Sequence, residues 1–120
     1  MGQYELSKGK GRVKVNFRAN YLGDDLVVFI YNENAHIGAV AVGEYDHKEA
    51  RASVSVITRL GHKDDAVAQK AAYLLSKATK KTTCVVAGIH LEGITKDEID
   101  KILENAERVV EEFLLTAQEG

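Results

Sequence analysis

Proline and tryptophan are absent from the sequence, and cysteine occurs once, at Cys84. At an average usage of about 5%, a chain of 120 residues would contain roughly six prolines. Their absence excludes proline-kinked helices, cis-proline turns and proline-rich linkers. Because one cysteine cannot form an internal disulfide, folding depends on the burial of apolar side chains.

The sequence also lacks an excess of charge of either sign. Its 16 Lys and Arg residues nearly balance 18 Asp and Glu residues, so a nucleic-acid partner has no electrostatic support. Apolar runs fall short of the roughly 20 residues that a membrane helix needs, and residues 1–5 lack the layout of a signal peptide. We therefore predict a cytoplasmic protein that folds as a single domain over residues 1–120, with no nucleic-acid or membrane partner.

Patterns typical of strands fill the first half of the sequence. Apolar and polar residues alternate over 12–20 and again over 52–56, which indicates half-buried strands. The run 26–31 is apolar at every position, which favours a central strand covered on both faces. The segment 37–42 predicts another strand, and residues 4–8 predict a weak edge strand.

The hydrophobic period changes from two to about 3.6 in the second half of the sequence. Apolar residues from Val67 to Ala78 share one helical face, and residues 82–87 predict a short buried strand. Thr95 and Glu98 have the spacing of a capping box, which predicts the start of a long amphipathic helix.

This order of elements predicts an α+β fold. Strands in hairpin succession, followed by a helix, a strand and a second helix (β-β-β-β-α-β-α), indicate two layers. We expect an antiparallel sheet of about five or six strands, with both helices packed on one face.

The other face of the predicted sheet carries apolar side chains. Val27, Phe29 and Tyr31 point there if the alternate residues of their strand pack on the helices, and Val40 and Val42 join them. An exposed apolar sheet face marks a partner surface. We therefore predict a homodimer through these residues.

Three histidines lie beside glycines at predicted strand ends or helix starts. If their strands are neighbours, the imidazoles converge at one end of the sheet, where loops carry binding sites. Their spacing matches no zinc motif, so we predict no metal site, and a local hydrogen-bonding role for each histidine remains an alternative. The residues concerned are His36 with Gly38, His62 with Gly61, and His90 with Gly88.

Residues 61–65, Gly-His-Lys-Asp-Asp, open the first predicted helix, and helix N-termini attract anions. His62 and Lys63 would add hydrogen-bond donors to a phosphate. Asp64 and Asp65 instead place two carboxylates in the first turn, where they satisfy the helix dipole and repel an anion. Ligand binding and helix capping remain two open interpretations of this segment.

No residue pattern predicts a catalytic nucleophile. Cys84 lies in a predicted buried strand, where thiols are usually unreactive, so it is expected in the core. The sequence contains no Gly-x-Ser-x-Gly motif. We therefore predict no catalytic residue.

Four short segments together carry a family resemblance: HIGAVA at 36–41, GHKDD at 61–65, VVAGIH at 85–90 and ITKDEI at 94–99. They resemble the prenylated flavin chaperone LpdD-like family, whose fold is similar to that of eukaryotic proteasome assembly chaperones. The resemblance extends over most of the chain from about residue 36 to residue 105.

The resemblance implies a non-catalytic accessory protein that helps a UbiD-like decarboxylase to acquire or mature its prenylated flavin. It implies no tightly bound cofactor, with prenylated FMN as the candidate ligand. Glycines beside the polar residues would permit close backbone approach. The ligand- or client-binding residues on this interpretation are His36, Gly38, Gly61, His62, Lys63, Asp64, Gly88 and His90.

Two other interpretations belong to different classes of protein. One is an assembly module that acts through protein surfaces and binds no ligand. The other is a small metal-dependent or phosphate-handling enzyme built on His36, His62 and His90.

Overall fold

The computed structural model describes residues 3–59 and 64–119. A short 3₁₀ turn at Gly11–Val13 separates the first two strands. The strands and helices are β1 (Tyr4–Lys8), β2 (Val15–Leu22), β3 (Asp25–Tyr31), β4 (Ala39–Asp46), β5 (Arg51–Thr58), α1 (Asp65–Thr79), β6 (Thr83–Gly88) and α2 (Lys96–Glu119). The predicted α+β class is confirmed.

The strands form a mixed, mostly antiparallel six-stranded sheet in the order β1-β2-β3-β6-β4-β5. The expectation of strands in hairpin succession is wrong at one place, because β6 lies between β3 and β4. Helix α1 carries the chain back across the sheet, so β6 enters in the direction of β3. The two strands therefore pair in parallel, with Leu26 opposite Thr83 and Tyr31 opposite Gly88.

Two strands begin later in the structure than the sequence predicts. The pattern from residue 12 starts inside the 3₁₀ turn, where Gly11 has a φ of 58°, and the strand itself begins at Val15. The segment from residue 37 becomes a strand only at Ala39. The edge strand over 4–8 is confirmed, and β1 pairs with β2.

The hydrophobic core lies between one sheet face and both helices. The residues of β3 that alternate with Val27, Phe29 and Tyr31 are fully buried: Leu26, Val28 and Ile30. Phe113 of α2 is central, because its ring contacts Tyr4 at 5.3 Å and Phe17 at 5.2 Å between centroids. Fully buried side chains from the sheet and helices include Val15, Phe17, Val28, Ile30, Leu75, Val85, Val109 and Phe113.

Gly43 lets α1 approach the sheet closely. A side-chain carbon at this position would lie 2.6 Å from the Ala72 carbonyl oxygen and 2.7 Å from Ser76 Oγ. The buried Ser76 hydroxyl is satisfied within the helix, since it donates to the Ala72 carbonyl at 2.7 Å. The close packing of Ala72 and Ser76 on Gly43 therefore holds α1 over β4.

The predicted capping box opens α2. The Thr95 amide donates to Glu98 Oε1 at 3.0 Å, and the Glu98 amide donates to Thr95 Oγ1 at 3.2 Å. Arg12 Nε also donates to Glu98 Oε2 at 2.7 Å, which ties the 3₁₀ turn to the helix start. Although α2 has 24 residues, neither it nor α1 has the length and apolar composition to cross a membrane.

Candidate functional site

Strands β3 and β6 end side by side in the middle of the sheet, and the loops that follow them meet at that end of the sheet. Asn32, directly after β3, is 5% exposed. Its Nδ2 donates to the His90 carbonyl at 2.8 Å, and its Oδ1 accepts from the His90 amide at 3.2 Å. This paired contact fixes the start of the loop after β6. The available sequence signal was an asparagine directly after an apolar strand, and sequence reasoning missed it.

The loop after β3 crosses over the end of β6. The backbone of His36 lies against Gly88, and a side-chain carbon on Gly88 would overlap the His36 carbonyl oxygen. The His36 and His90 rings lie edge to face, with their centroids 5.7 Å apart and their planes at 86°. Two of the three predicted histidines are thus neighbours at this sheet end.

The start of α1 meets the same loop at Gly38. The Gly38 amide donates to the Ala87 carbonyl at 2.9 Å, which holds the loop to the sheet. A side-chain carbon on Gly38 would overlap the carboxylate of Asp64, the residue before α1, which is 8% exposed. Arg59 Nη1 donates to the Ile37 carbonyl at 2.9 Å. The end of β5 and the start of α1 therefore both contact this loop.

The structure brings together five of the eight residues predicted to bind a ligand or client. Their function stays a prediction. Gly61, His62 and Lys63 lie outside the described residues. The five neighbours are His36, Gly38, Asp64, Gly88 and His90.

A groove opens beside His36 on the sheet face that carries no helix. Its volume is about 400 Å³, within the range of roughly 300–1,000 Å³ typical of small-molecule sites. The Arg18 guanidinium lies at one side, 3.6 Å from the Glu5 carboxylate through Nε. The wall combines aromatic, apolar and cationic groups: Arg18, Phe29, Tyr31, His36, Val86 and Gly88.

The rest of this sheet face, which we call the open face, is apolar across its central strands. The residues predicted for an interface lie on it: Val27, Phe29, Tyr31 and Val40 are half-buried, and Val42 is 38% exposed. Phe29 and Tyr31 line the groove as well, so the predicted interface and the groove overlap.

Cys84 also lies on the open face, opposite Val27 and Val42 in the neighbouring strands. It is half-buried, so the expectation of a core cysteine is wrong. The reason is alternation within β6, because Val85 and Ala87 take the side that faces the helices. Because β6 has no alternation of polar and apolar residues, its sequence does not show which side chains face the helices.

His90 makes one further polar contact. Its Nε2 lies 2.9 Å from Glu92 Oε1, and the hydrogen bond from the His90 ring lowers the pKa of the Glu92 carboxyl. Within residues 3–59 and 64–119, no group of three His, Cys, Asp or Glu side chains has an arrangement that would hold a metal ion. The described contacts at this edge of the sheet are hydrogen bonds, ring contacts and close backbone packing.

The fold is similar to that of a chain in a solved chaperone complex for yeast 20S proteasome assembly. The TM-score is 0.61 at 13% identity, and the match covers 99% of this chain and 98% of the other. This confirms the expected fold similarity to proteasome assembly chaperones. No curated protein matches the sequence.

The sequence profile of the prenylated flavin chaperone LpdD-like domain matches residues 9–118. That range includes every residue of the groove wall and both described histidines of the site. The expectation of a non-enzymatic protein is confirmed by this assignment, and the interpretation as a histidine-based enzyme is not supported. The chain belongs to the prenylated flavin chaperone LpdD-like domain family, a family of chaperones.

Proposed function

We propose that this protein is a cytoplasmic accessory protein that holds prenylated FMN in the groove beside His36 and delivers it to a UbiD-like decarboxylase. The observation that carries the proposal is the composition of the groove. It joins aromatic side chains to a cation, at a sheet end built by the segments that resemble the family.

The groove fits a flavin in size and chemistry. A planar ring system packs on aromatic and apolar side chains, which Phe29, Tyr31 and Val86 supply in the absence of tryptophan. Arg18 supplies positive charge, and part of its side chain is exposed to an incoming ligand. The groove is open to one side, which suits a protein that must release its ligand to a client.

The open face supports a homodimer as the working form. Val42 and Ile57 are exposed on it, and Val27, Val40 and Cys84 lie half-buried on the same face. A second copy that stacks its own open face on these residues would cover them, as homodimer interfaces cover apolar surface. Because Phe29 and Tyr31 belong to both surfaces, the second copy would border the bound flavin.

Binding is tested by anaerobic titration of the purified protein with reduced prenylated FMN, followed by activation of apo-decarboxylase. We expect saturable binding and faster client activation. Arg18→Gln and His36→Ala should weaken both, whereas Arg108→Gln, on the exposed side of α2, should change neither. Absence of binding and absence of any effect on the client would overturn the proposal.

An assembly module without a ligand is the second candidate function. It is favoured by the apolar open face, which is a surface suited to a protein partner. The two candidates differ in their response to substitution. If His36→Ala and His90→Ala leave client activation intact while Val42→Asp abolishes it, the protein acts through its surface alone.

A further inference from the structure

A second cleft lies at the same end of the sheet as the groove, and its chemistry is different. It has a volume of about 440 Å³ and is bordered by the 3₁₀ turn, the start of β2 and the first residues of the loop after β3. Polar side chains dominate its wall, including Lys14, Asn16 and Asn34. We call it the polar cleft.

The polar cleft and the groove are neighbours. Asn16 of the cleft pairs across the β2–β3 ladder with Tyr31 of the groove, and both side chains lie on the open face. The loop after β3 borders both, because residues 32–34 line the cleft and residues 35–37 line the groove. An elongated ligand can therefore lie in both at once.

Lys14 is the cation available in the polar cleft. It is exposed and makes no ion pair with any described residue. The other cation, Arg12, is engaged by Glu98 at 2.7 Å and by the Glu92 carbonyl at 2.7 Å. Glu33 adds one carboxylate to the rim, and Lys14 is the cleft's cation that remains outside the Arg12–Glu98 ion pair.

The carboxamides in the cleft supply hydrogen-bond donors. The Asn32 side chain is committed to the His90 backbone, as described above. Asn16 and Asn34 have no such commitment among the described contacts, so their N–H groups can donate to phosphate oxygens. A lysine with two carboxamides is a suitable set of donors for a phosphate monoester.

We infer that the polar cleft holds the phosphate of the flavin whose ring lies in the groove, with Lys14 as its counter-ion and Asn16 and Asn34 as donors. This inference rests on the proposed function. It places the phosphate away from the start of α1, where the buried Asp64 carboxylate and the adjacent Asp65 disfavour an anion. The protein then distinguishes a phosphorylated flavin from a dephosphorylated one.

The test compares reduced prenylated FMN with the same compound after phosphatase treatment, both titrated anaerobically. Lys14→Gln should weaken binding of the phosphorylated ligand by roughly tenfold and leave the dephosphorylated ligand unchanged, since one charge-assisted contact is lost. Lys14→Arg should retain most of the affinity. Lys10→Gln, an exposed lysine in the same loop that does not line the cleft, is the matched control.

The outcomes separate the inference from the proposed function. If neither ligand binds the wild-type protein, the proposed function fails. If both ligands bind equally and Lys14→Gln alters neither, the flavin role stands and the phosphate assignment is overturned. If Lys63→Gln removes the preference and Lys14→Gln does not, the phosphate belongs at the start of α1. Unchanged urea unfolding of each variant excludes misfolding as the cause.

Discussion

The carbonyl oxygen of His36 lies in the space that a side chain on Gly88 would fill. This contact seats the loop after β3 directly on the end of β6. It also positions the His36 ring at the groove wall and beside the His90 ring. The absence of one β-carbon therefore shapes the groove wall.

Gly88→Ala should displace the loop and weaken flavin binding. The added carbon meets backbone, which cannot rotate away, so we expect a loss of about 1–3 kcal/mol in the free energy of unfolding. Urea unfolding and flavin titration measure the two effects. Gly93→Ala is the control, because it adds a carbon in open space at a φ of 59° and strains the backbone without moving His36. Equal flavin affinity in both variants would contradict the role of Gly88.

Gly38→Ala should be destabilising through its overlap with the Asp64 carboxylate. Asp64→Ala removes the overlapping carboxylate, so the double variant should be more stable than the sum of the two single effects predicts. We expect a coupling of about 0.5–3 kcal/mol in a double-mutant cycle measured by urea unfolding. Additive effects would show that the start of α1 does not depend on contact with Gly38.

Asn32→Ala should loosen the loop after β6. It leaves the His90 amide and carbonyl without their side-chain partner, at a cost of about 1–3 kcal/mol in the free energy of unfolding. Hydrogen exchange at the His90 amide should accelerate more than global unfolding explains. Asn34→Ala, in the same loop but exposed, should leave that exchange rate unchanged.

Glu98 should contribute to the acid sensitivity of the fold. Hydrogen bonds from the Arg12 side chain and the Thr95 amide lower the pKa of the Glu98 carboxyl from 4.5 to about 2. Because the folded pKa lies below the ordinary value, this stabilisation is complete above about pH 4.5 and is lost as the pH falls towards 2.

Glu98→Gln should therefore lower the urea midpoint at pH 7 and flatten its fall between pH 4.5 and pH 3. The matched control is Glu104→Gln, on the same helix, where the Arg108 contact is long at 4.0 Å and exposed. A variant that keeps the wild-type pH profile would show that the capping box and the Arg12 contact do not contribute to acid stability.

Cys84 reports on the open face without any engineering, because it is the chain's one cysteine. If two copies stack through this face, alkylation of Cys84 should slow as the protein concentration rises through the dimer dissociation constant. Val42→Asp should restore fast alkylation by breaking the dimer, whereas Gln69→Asp, on the exposed side of α1, should not. An alkylation rate independent of concentration, together with a monomer in light scattering, would contradict the homodimer.

Much of the fold could be predicted from the sequence because its signals are local. Alternation over Val15–Ala19 shows which residues of β2 face the core, and Thr95 with Glu98 marks the start of α2. Alternation does not show which strand pairs with which, so the position of β6 between β3 and β4 was not predicted. Alternation is also missing from the apolar run of β6, so the sequence did not show that Cys84 lies on the open face.

The site was predictable only in part, since its contacts join distant segments. Glycines beside histidines indicated where the loops end, and His36 and His90 do lie together. The Asn32 contact with His90 and the approach of Lys14 to residues 32–34 depend on tertiary packing. The spacing of residues within one segment of the sequence does not predict contacts between distant segments.

The parallel pairing of β3 with β6 has a consequence for how this protein can vary. Parallel neighbours end at the same edge, so both loops that build the groove and the polar cleft emerge there, while the core lies beneath the opposite sheet face. Substitutions at the exposed residues 33–35, which line the polar cleft and the groove, can therefore change ligand preference with little change to the buried packing. Relatives that carry different ligands or serve different clients should differ first in the loop after β3.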